Sequence, residues 1–336
     1  MSQVVCLGEA LIDFVALESG VTVGESSGFV KAPGGAPANV AVGIARLGHS
    51  STFLGKVGED PFGRFLAETF AGAGVDTGGM VFSTTERTGL AFVSLAANGE
   101  RDFCFFRNPS ADMTYIPAEL DTARISACTI FHYGSITLID EPARTATLTA
   151  VQQAKSEGKL ISYDPNLRPP LWRTLEEARA TILETIPLAD MVKVSEEELG
   201  FLLKGNSPDT ALTADEVEEC GVEFMARFAT VSLLCVTRGV KGCAWWTQGG
   251  EHGSLSGFAV TAVDTTGAGD GFIAAVMVGL LERGATTARR LANLDAETLR
   301  TLFSYANAVG ALTTTRKGAI PALPTLAEVA AFLSAQ

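Results

Sequence analysis

Residues Asp264–Leu281 read DTTGAGDGFIAAVMVGLL, and this stretch carries the strongest structural signal in the chain. Gly267 and Gly269 bracket Ala268, and Asp270 follows directly. The apolar residues behind them recur at the i, i+1, i+4 and i+8 positions of a buried helix, so the glycines stand at a helix start. Small residues there let a phosphate approach the backbone, where unpaired N–H groups and the helix dipole hold its charge.

Asp270 has two interpretations. A carboxylate beside an anion site can accept a proton from a hydroxyl that attacks a terminal phosphate, while the amides stabilise the transferred group. The alternative is a helix-capping acid, with the glycines forming a tight turn. The chain has no G-x-x-x-x-G-K-[ST] loop. Its first strand lacks the G-x-G-x-x-G of dinucleotide-binding folds, which disfavours an oxidoreductase.

Short β-branched runs alternate with helical patterns along the rest of the chain. Such βαβα alternation predicts a mostly parallel sheet with helices on both faces. The predicted strands are Val4–Leu7, Ser51–Val57, Thr129–Tyr133, Leu160–Tyr163, Met191–Val194 and Leu233–Thr237.

Two segments break this alternation. Residues 14–31 and 88–110 alternate apolar and polar side chains, with turn signals at Gly24 and at Asn98-Gly99. We expect them to form a small β-sheet inserted into one domain that spans residues 1–336. A sheet of this kind can act as a lid over a site at the carboxyl ends of the main strands.

The composition narrows the class of protein. At 47% hydrophobic residues the chain is globular, and its net charge of −13 disfavours a nucleic-acid partner. The six cysteines form no C-x-x-C pair, which indicates free thiols in a reducing cytoplasm. The three histidines lack metal-ligand spacing, which disfavours a zinc site. The longest apolar run is about half a membrane span, so no membrane partner is expected.

A second glycine turn lies in KAPGGAPANVAVGIARLG, residues Lys31–Gly48. Gly34 and Gly35 precede a predicted helix that has Pro37 near its first turn. Asn39 lies on the first turns, where its amide can reach a polar ligand at the bend. The alternative is an ordinary strand–turn–helix connection.

Together these segments resemble the two signatures of the PfkB, or ribokinase-like, family of carbohydrate kinases. PGGAPANVAVGIARLG followed by GKVGEDPFG is similar to the first signature, and DTTGAGDGF to the second. The resemblance covers nearly the whole chain in the expected order. It implies a doubly wound α/β fold with a β-sheet lid, ATP and Mg²⁺ as cofactors, and phosphoryl transfer to a sugar hydroxyl.

The resemblance also implies roles for single residues. Asp270 matches the base that activates the sugar hydroxyl, and Gly267, Ala268 and Gly269 match the anion hole that faces the γ-phosphate. The residues that match sugar contacts are Asp13, Gly34, Gly35 and Asn39. Taken alone, Asp13 is typical of a solvated acid at a strand end.

Further matches lie between and after the signatures. Asp164–Arg168 is similar to the family's D-x-N-x-R stretch, in which Asn166 and Arg168 can meet substrate or phosphate. Glu198 matches an acid associated with Mg²⁺ through water, and it also fits a helix-capping role. The positions matching nucleotide contacts are Lys193, Ser195, Thr237, Arg238, Gly239, Asn307 and Gly310, with Ser195 where many relatives have Asn. The positions matching a monovalent cation site, for K⁺, are Asp264, Thr266 and Gly318.

Within the family, three strings look most like fructokinases. They are FRNPSADM at Phe106–Met113, VKVSEEEL at Val192–Leu199 and TTTRKGAIPALPT at Thr313–Thr325. The implied reaction converts ATP and D-fructose to fructose 6-phosphate and ADP. Arg107 has two interpretations: it reaches a sugar hydroxyl, or it is a solvated lid residue.

Other substrates and a non-enzymatic role stay open. Ribose and 2-keto-3-deoxygluconate are the main alternatives within the family, and nucleosides are also substrates of some members. A sugar phosphate would need more basic residues than Lys31, Arg101 and Arg107. A sugar- or nucleotide-binding regulator on the same fold would be expected to lose its base, yet Asp270 is intact. Members often dimerise through the lid, and Phe103 and Phe105 would permit such a homodimer.

Overall fold

The computed structural model describes residues 3–18, 20–95 and 101–336. Its strands, in chain order, are β1 Val4–Leu7, β2 Leu11–Ala16, β3 Phe29–Gly34, β4 Ser51–Gly58, β5 Met80–Ser83, β6 Gly89–Leu95, β7 Arg101–Phe106, β8 Ile130–Tyr133, β9 Leu160–Tyr163, β10 Met191–Ser195, β11 Leu233–Thr237, β12 Cys243–Thr247 and β13 His252–Leu255.

Helices connect and cover these strands. In chain order they are α1 Ala36–Arg46, α2 Pro61–Gly72, α3 Thr122–Ala127, α4 Ala143–Ser156, α5 Leu175–Thr185, α6 Glu196–Lys204, α7 Ala214–Arg227, α8 Ala268–Glu282, α9 Ala288–Ala292, α10 Ala296–Thr313, α11 Ala319–Ala322 and α12 Leu326–Ser334.

The main sheet has the order β13-β12-β11-β10-β9-β8-β1-β4-β5. Strands β5 through β11 in that order pair in parallel, whereas β12 and β13 add an antiparallel edge. The predicted mostly parallel sheet is therefore confirmed, and its antiparallel edge was not predicted. β1 lies between β4 and β8, so the chain leaves β1 in both directions and opens a crevice at its carboxyl end.

The central strands are mostly apolar because the sheet is covered on both faces. Val4 and Cys6 of β1 belong to the core shared with α1, α8 and α10. Val5 and Leu7 point the other way, into the core beneath α4. Alternate side chains of a strand point to opposite faces, so a strand buried on both faces has no polar face.

A smaller sheet has the order β3-β2-β6-β7 and draws on the two segments that break the main pattern. One face packs on α2 through Phe14, whose ring lies 5.8 Å from Phe62 and stacks on Phe92 at 4.9 Å. Asp13 pairs in register with Ala32 and Ala91, so these residues share the opposite face. Gly24 lies in a turn as predicted, whereas Asn98-Gly99 lies outside the described residues.

Candidate active site

The glycine-rich turn forms the N-terminus of α8. Gly267 is the N-cap residue and has a left-handed backbone with φ of 80°. A Cβ at this position would lie 2.8 Å from the Ala319 Cβ, so conformation and space both favour glycine. The N-cap supplies no side-chain hydrogen bond, and the first amides of a helix have no intrahelical acceptor. Of the amides in this turn, the Ala268 N–H donates to the Thr265 carbonyl at 3.3 Å. The turn presents its other N–H donors and the positive end of the helix dipole, as an anion site requires.

Asp270 lies in the first turn of α8 and is 8% exposed. Its Oδ2 accepts a hydrogen bond of 2.8 Å from the Asn39 Nδ2. Burial raises the pKa of Asp270 above its ordinary value, while the Asn39 hydrogen bond and the charges of Lys193 and Arg168 oppose that rise. Since Gly267 is the N-cap, Asp270 is not the residue that caps this helix. It is a buried carboxylate that an amide from the other signature segment orients.

The first glycine turn is tightly enclosed by the protein. Gly35 has φ of 112°, and a Cβ there would lie 2.3 Å from the Glu9 backbone oxygen. A Cβ at Gly34 would lie 2.3 Å from the Asp13 Oδ2, so the Asp13 carboxylate lies against this turn. The structure thus brings the predicted sugar contacts Asp13, Gly34 and Gly35 together, and Asn39 lies on the helix that follows.

Glu9 is a residue of this region that the sequence did not single out. Its Oε1 accepts a hydrogen bond of 2.9 Å from the Ala36 N–H, the first amide of α1. Burial raises the pKa of Glu9 to about 7, although backbone hydrogen bonds and the Arg107 charge oppose the rise. The available signal was an acid inside the apolar GEALID run, which is expensive to bury without a partner.

A buried ion pair stands beside the α8 turn. The Lys193 Nζ lies 3.0 Å from the Asp164 Oδ2, and the two side chains are 6% and 4% exposed. Burial raises the pKa of Asp164 to about 7, an effect that Lys193 opposes. A Cβ at Gly269 would lie 3.0 Å from the same Nζ. The sequence marked Lys193 as a nucleotide contact but did not identify Asp164 as its partner.

The rest of the D-x-N-x-R stretch bends back toward the site. Asn166 has φ of 46°, and its N–H donates to the Asp164 Oδ1 at 3.2 Å. The Arg168 guanidinium donates to the Leu167 carbonyl at 3.1 Å, and its charge lowers the pKa of Asp270. Arg168 is therefore within electrostatic reach of the predicted base.

Glu198 and Ser195 form a capping box at the start of α6. The Ser195 hydroxyl accepts from the Glu198 N–H at 3.1 Å, and the Glu198 Oε2 accepts from the Ser195 N–H at 2.8 Å. The Glu198 Oε1 accepts from the Leu167 N–H at 2.7 Å. The predicted capping role is thus present, and Glu198 also ties α6 to the Asp164–Arg168 stretch.

The predicted nucleotide turn follows β11. Arg238 donates through Nε to the Glu196 Oε2 at 3.2 Å, and Glu196 is buried. The Thr237 hydroxyl donates to the Val194 carbonyl at 3.5 Å, and Gly239 has φ of 54°. Glu196, which the sequence did not assign, therefore anchors this turn to α6.

Two further predicted nucleotide positions lie on α10. The Asn307 Nδ2 donates to the Ser256 carbonyl at 3.3 Å. A Cβ at Gly310 would lie 3.4 Å from the Ala268 carbonyl oxygen. Gly310 therefore faces the first residue of α8, which places α10 next to the predicted anion hole.

The three residues predicted to hold a monovalent cation are joined by hydrogen bonds. The Asp264 Oδ1 accepts from the Thr266 N–H at 2.9 Å and from its hydroxyl at 2.6 Å. The Asp264 Oδ2 accepts from the Gly318 N–H at 2.9 Å. Residues far apart in the chain thus meet beside the α8 turn.

Arg107 is buried in an ion pair with Asp112, and its side chain is 6% exposed. It is therefore not a solvated lid arginine, which was one of its two interpretations. Its buried Nε has no hydrogen-bond partner among the described residues. Arg107 lines a cavity of about 260 Å³, together with Thr137 and Asp140, and the lining does not include Asp270.

The described residues contain neither a cluster of metal-binding side chains nor a helix that could span a membrane. Within residues 3–18, 20–95 and 101–336, no group of three or more His, Cys, Asp or Glu side chains is placed to hold a metal ion. In the same part of the chain, no helix has the length and apolarity that a membrane crossing requires.

Comparison with known proteins places this geometry in a family. The model of the pfkB family of carbohydrate kinases matches residues 1–326. Probable fructokinase-2 of Arabidopsis thaliana is 48% identical over 333 residues, which are 99% of this chain and 96% of that protein.

Solved structures agree with the sequence comparison. The fructokinase of Xylella fastidiosa with bound ATP superposes with a TM-score of 0.87 at 35% identity, covering 100% of this chain and 99% of that one. A double mutant of the Vibrio cholerae O395 fructokinase, in a form with fructose, ADP and a potassium ion bound, has a TM-score of 0.81 at 36% identity, covering 99% of this chain and 98% of that one. The chain belongs to the pfkB family of carbohydrate kinases.

Proposed function

We propose that the protein transfers the γ-phosphoryl group of ATP to a hydroxyl of D-fructose, giving fructose 6-phosphate and ADP. One observation carries the proposal: the buried Asp270 carboxylate lies at the start of α8, oriented by Asn39 beside an uncapped glycine turn. This arrangement sets a proton acceptor next to an anion site, which is what attack of a hydroxyl on a phosphate needs. The names of the similar fructokinases favour fructose as the acceptor.

In this proposal, each signature segment has a separate task. Asp270 takes the proton of the attacking hydroxyl, and the amides of Gly267, Ala268 and Gly269 hold the charge that develops on the transferred group. Asp13, Gly34, Gly35 and Asn39 orient the sugar. The pKa of Asp270 is raised by burial, which makes it a stronger base than a solvated aspartate.

The nucleotide lies over the predicted turn after β11 and the start of α10. Thr237, Arg238 and Gly239 lie on its β11 side, and Asn307 and Gly310 on its α10 side. The γ-phosphate then reaches the α8 turn, because Gly310 faces the Ala268 carbonyl.

The donor set suits Mg²⁺ held through water. Both Glu198 carboxylate oxygens already accept backbone N–H groups, and no larger ligand cluster occurs in the described part of the chain. Mg²⁺ keeps several waters and is typically held by one or two carboxylates together with substrate phosphates. Glu198 would hold such an ion, which would neutralise phosphate charge, and Ser195 fixes the Glu198 backbone through the capping box.

A potassium ion beside Asp264, Thr266 and Gly318 is the second part of the cofactor proposal. The oxygen atoms of Asp264 and Thr266 are the ligand type that such cations take. The similar V. cholerae structure is described in a potassium-bound form.

The small sheet acts as a lid in this proposal, within a single domain of residues 1–336. The lid segments are residues 14–31 and 88–110, and closure over bound sugar limits phosphoryl transfer to water.

Val15 and Val30 are exposed apolar residues that share the Asp13 face of this sheet, which supports a homodimer through the lid. Phe103 and Phe105 are the residues predicted to permit this homodimer, and the side chain of Phe103 lies outside the described part of the chain.

The six free cysteines support a reducing, cytoplasmic setting for the protein.

A coupled ADP-release assay over a sugar panel tests the proposal. The panel contains fructose, ribose, 2-keto-3-deoxygluconate and fructose 6-phosphate. We expect the highest kcat/KM with fructose. Preference for ribose or 2-keto-3-deoxygluconate would change the sugar but keep the kinase, whereas binding of sugar and ATP without any ADP release would indicate a regulator.

A further inference from the structure

The Lys193 ammonium lies at the N-terminus of α8, where the helix dipole disfavours a cation. Lys193 is on β10 between the buried Val192 and Val194, and its ammonium stands against the N-terminal turn of α8. Cations stabilise helix C-termini and anions stabilise N-termini, so an ammonium at this end opposes the dipole. Burial also costs the ammonium its hydration. A buried lysine in this place is explained better by an anion that binds there than by the stability of α8.

The position of the Lys193 Nζ is defined by two contacts. Asp164 Oδ2 holds it at 3.0 Å, and a Cβ at Gly269 would lie 3.0 Å from it. An ammonium has three N–H donors, and Asp164 is the single hydrogen-bond partner that the described residues give it. Further donors are thus available beside the amides of the α8 turn.

The surrounding carboxylates keep Lys193 charged. Asp164, Glu198 and Asp270 each raise the pKa of Lys193, against the opposing effect of burial. A positive charge is therefore maintained beside Gly269 without a bound ligand. Preorganised charge of this kind needs no rearrangement when negative charge develops on a reacting group.

We propose that Lys193 is a further catalytic residue, whose ammonium donates a hydrogen bond to the phosphoryl group as it is transferred, and that Asp164 positions it. The inference rests on the proposed function. The sugar oxygen bonds to the γ-phosphorus, and the bond from that phosphorus to the β–γ bridging oxygen breaks with its electron pair left on ADP. The hydroxyl proton passes to Asp270, and Lys193 keeps its protons throughout.

The competing role for Lys193 is structural neutralisation of Asp164. The two roles differ in a double variant, because Lys193→Met with Asp164→Asn removes both charges and leaves no unpaired ion in the core. A neutralising lysine is no longer needed in that variant, so its kcat would match that of Asp164→Asn alone. A catalytic lysine predicts a further loss of about 10²-fold in kcat, the range found on removing one oxyanion donor.

The experiment measures kcat, sugar KM and nucleotide Kd for the wild type, Asp164→Asn, the double variant and Lys193→Arg. We expect the double variant to fold, to lose kcat as stated and to keep its sugar KM within a few fold. Calorimetry should show that it loses more affinity for ATP than for ADP, because the lost contact is to the terminal phosphate. Lys193→Arg should recover part of the kcat, since it restores a cation.

Equal losses for ATP and ADP, or equal kcat in the double variant and Asp164→Asn, would overturn the inference. Lys204→Met, an exposed lysine at the end of α6, is the matched control and should behave as wild type. The nucleotide comparison also separates this inference from the proposed function. If the wild type phosphorylates no sugar, the proposed function fails, while a selective loss of ATP affinity still assigns Lys193 to the terminal phosphate.

Discussion

Two glycine turns precede helices that pack together, and the protein itself fills one of them. At α1, the Glu9 side chain accepts from the Ala36 N–H at 2.9 Å, so the chain supplies its own hydrogen-bond acceptor. At α8, the N-cap gives no side-chain hydrogen bond, and Lys193 stands beside Gly269. The two similar glycine turns therefore differ in what their amides bind. At α1 the Glu9 side chain occupies an amide, whereas at α8 no side chain caps the helix.

The glycines themselves are required for different reasons. A Cβ at Gly35 would meet backbone, 2.3 Å from the Glu9 oxygen, at a φ that side chains rarely adopt. A Cβ at Gly269 would meet the end of a flexible side chain, 3.0 Å from the Lys193 Nζ. Gly35 is therefore needed for folding, whereas Gly269 keeps space for a ligand.

The variant with the largest expected effect, Asp270→Asn, tests whether the α8 turn carries the catalytic base. Asp270→Asn keeps the shape and the Asn39 contact but removes the proton acceptor, so kcat should fall by roughly 10²-fold or more. ATP affinity should stay close to that of the wild type, since the base does not carry nucleotide binding. The measurements are ADP release with fructose and calorimetry with ATP.

Asp209→Asn serves as the matched control for this prediction, because Asp209 is exposed and distant in sequence from both turns. It should have wild-type turnover. Near-normal kcat in Asp270→Asn would remove the base assignment, and with it the chemical distinction between the two turns.

Gly35→Ala tests the folding role of the α1 turn. The strained φ and the backbone clash should lower the free energy of unfolding by about 2 kcal/mol or more. Urea denaturation measures this, and Gly158→Ala isolates the cost of positive φ, because Gly158 has φ of 72° with no atom within 4 Å of its Cβ position. Equal costs in the two variants would show that the enclosure around Gly35 contributes nothing.

Much of the fold could be predicted because its signals are local. The strands Val4–Leu7, Leu160–Tyr163 and Leu233–Thr237 have the predicted bounds, since buried parallel strands are short apolar runs between turn residues. β12 was not predicted, because its CAWWT run comes shortly after the Thr237–Gly239 turn, which the family resemblance assigns to nucleotide contact. Neither periodicity nor the family pattern separated it from the preceding strand.

The site was predictable only in part, because its contacts join distant segments. The glycines and Asp270 stand out in DTTGAGDG, but the hydrogen bond from Asn39 to Asp270 spans 231 residues. Glu9 and the Asp164–Lys193 pair depend on which strands become neighbours, and β9 and β10 pair only in the folded sheet. The sequence shows which residue types are present at these positions, but it does not show which of them become hydrogen-bond or ion-pair partners.

Gly269→Ala sharpens the comparison from the α8 side. The added methyl group displaces the Lys193 ammonium and narrows the anion site, so kcat should fall about tenfold, part of what one lost donor costs. The midpoint of thermal unfolding should stay close to that of the wild type, since a flexible side chain absorbs the contact. Gly72→Ala, in α2 with nothing within 4 Å of its Cβ position, is the control and should keep full activity. If Gly269→Ala lost its folded structure, glycine would be needed for folding at both turns, and the proposed difference between them would be wrong.

The smallest expected effect concerns the acid that fills the α1 turn. Burial raises the pKa of Glu9 from 4.5 to about 7, so the folded state binds the Glu9 proton more tightly than the unfolded state. The resulting stability is fully present below the unfolded pKa and is lost as pH rises through about 7. Glu9→Gln never ionises and keeps an oxygen for the Ala36 N–H, so its unfolding midpoint should fall less than that of the wild type between about pH 5 and pH 8. Asp164, with a pKa also raised to about 7, retains its share in both proteins.

We expect the two declines in the unfolding midpoint to differ by a few degrees, since about 1 kcal/mol shifts the midpoint of a protein of this size by roughly 2 °C. Calorimetric scans at the two pH values measure the difference. Glu328→Gln is the control, because the Glu328 pKa is lowered to about 2 and its contribution is lost only as pH falls toward that value. Its decline between the two pH values should equal that of the wild type. An unchanged decline in Glu9→Gln would mean that Glu9 is ionised at both pH values, so that the α1 turn holds a permanent anion, the kind of partner the α8 turn is proposed to accept from ATP.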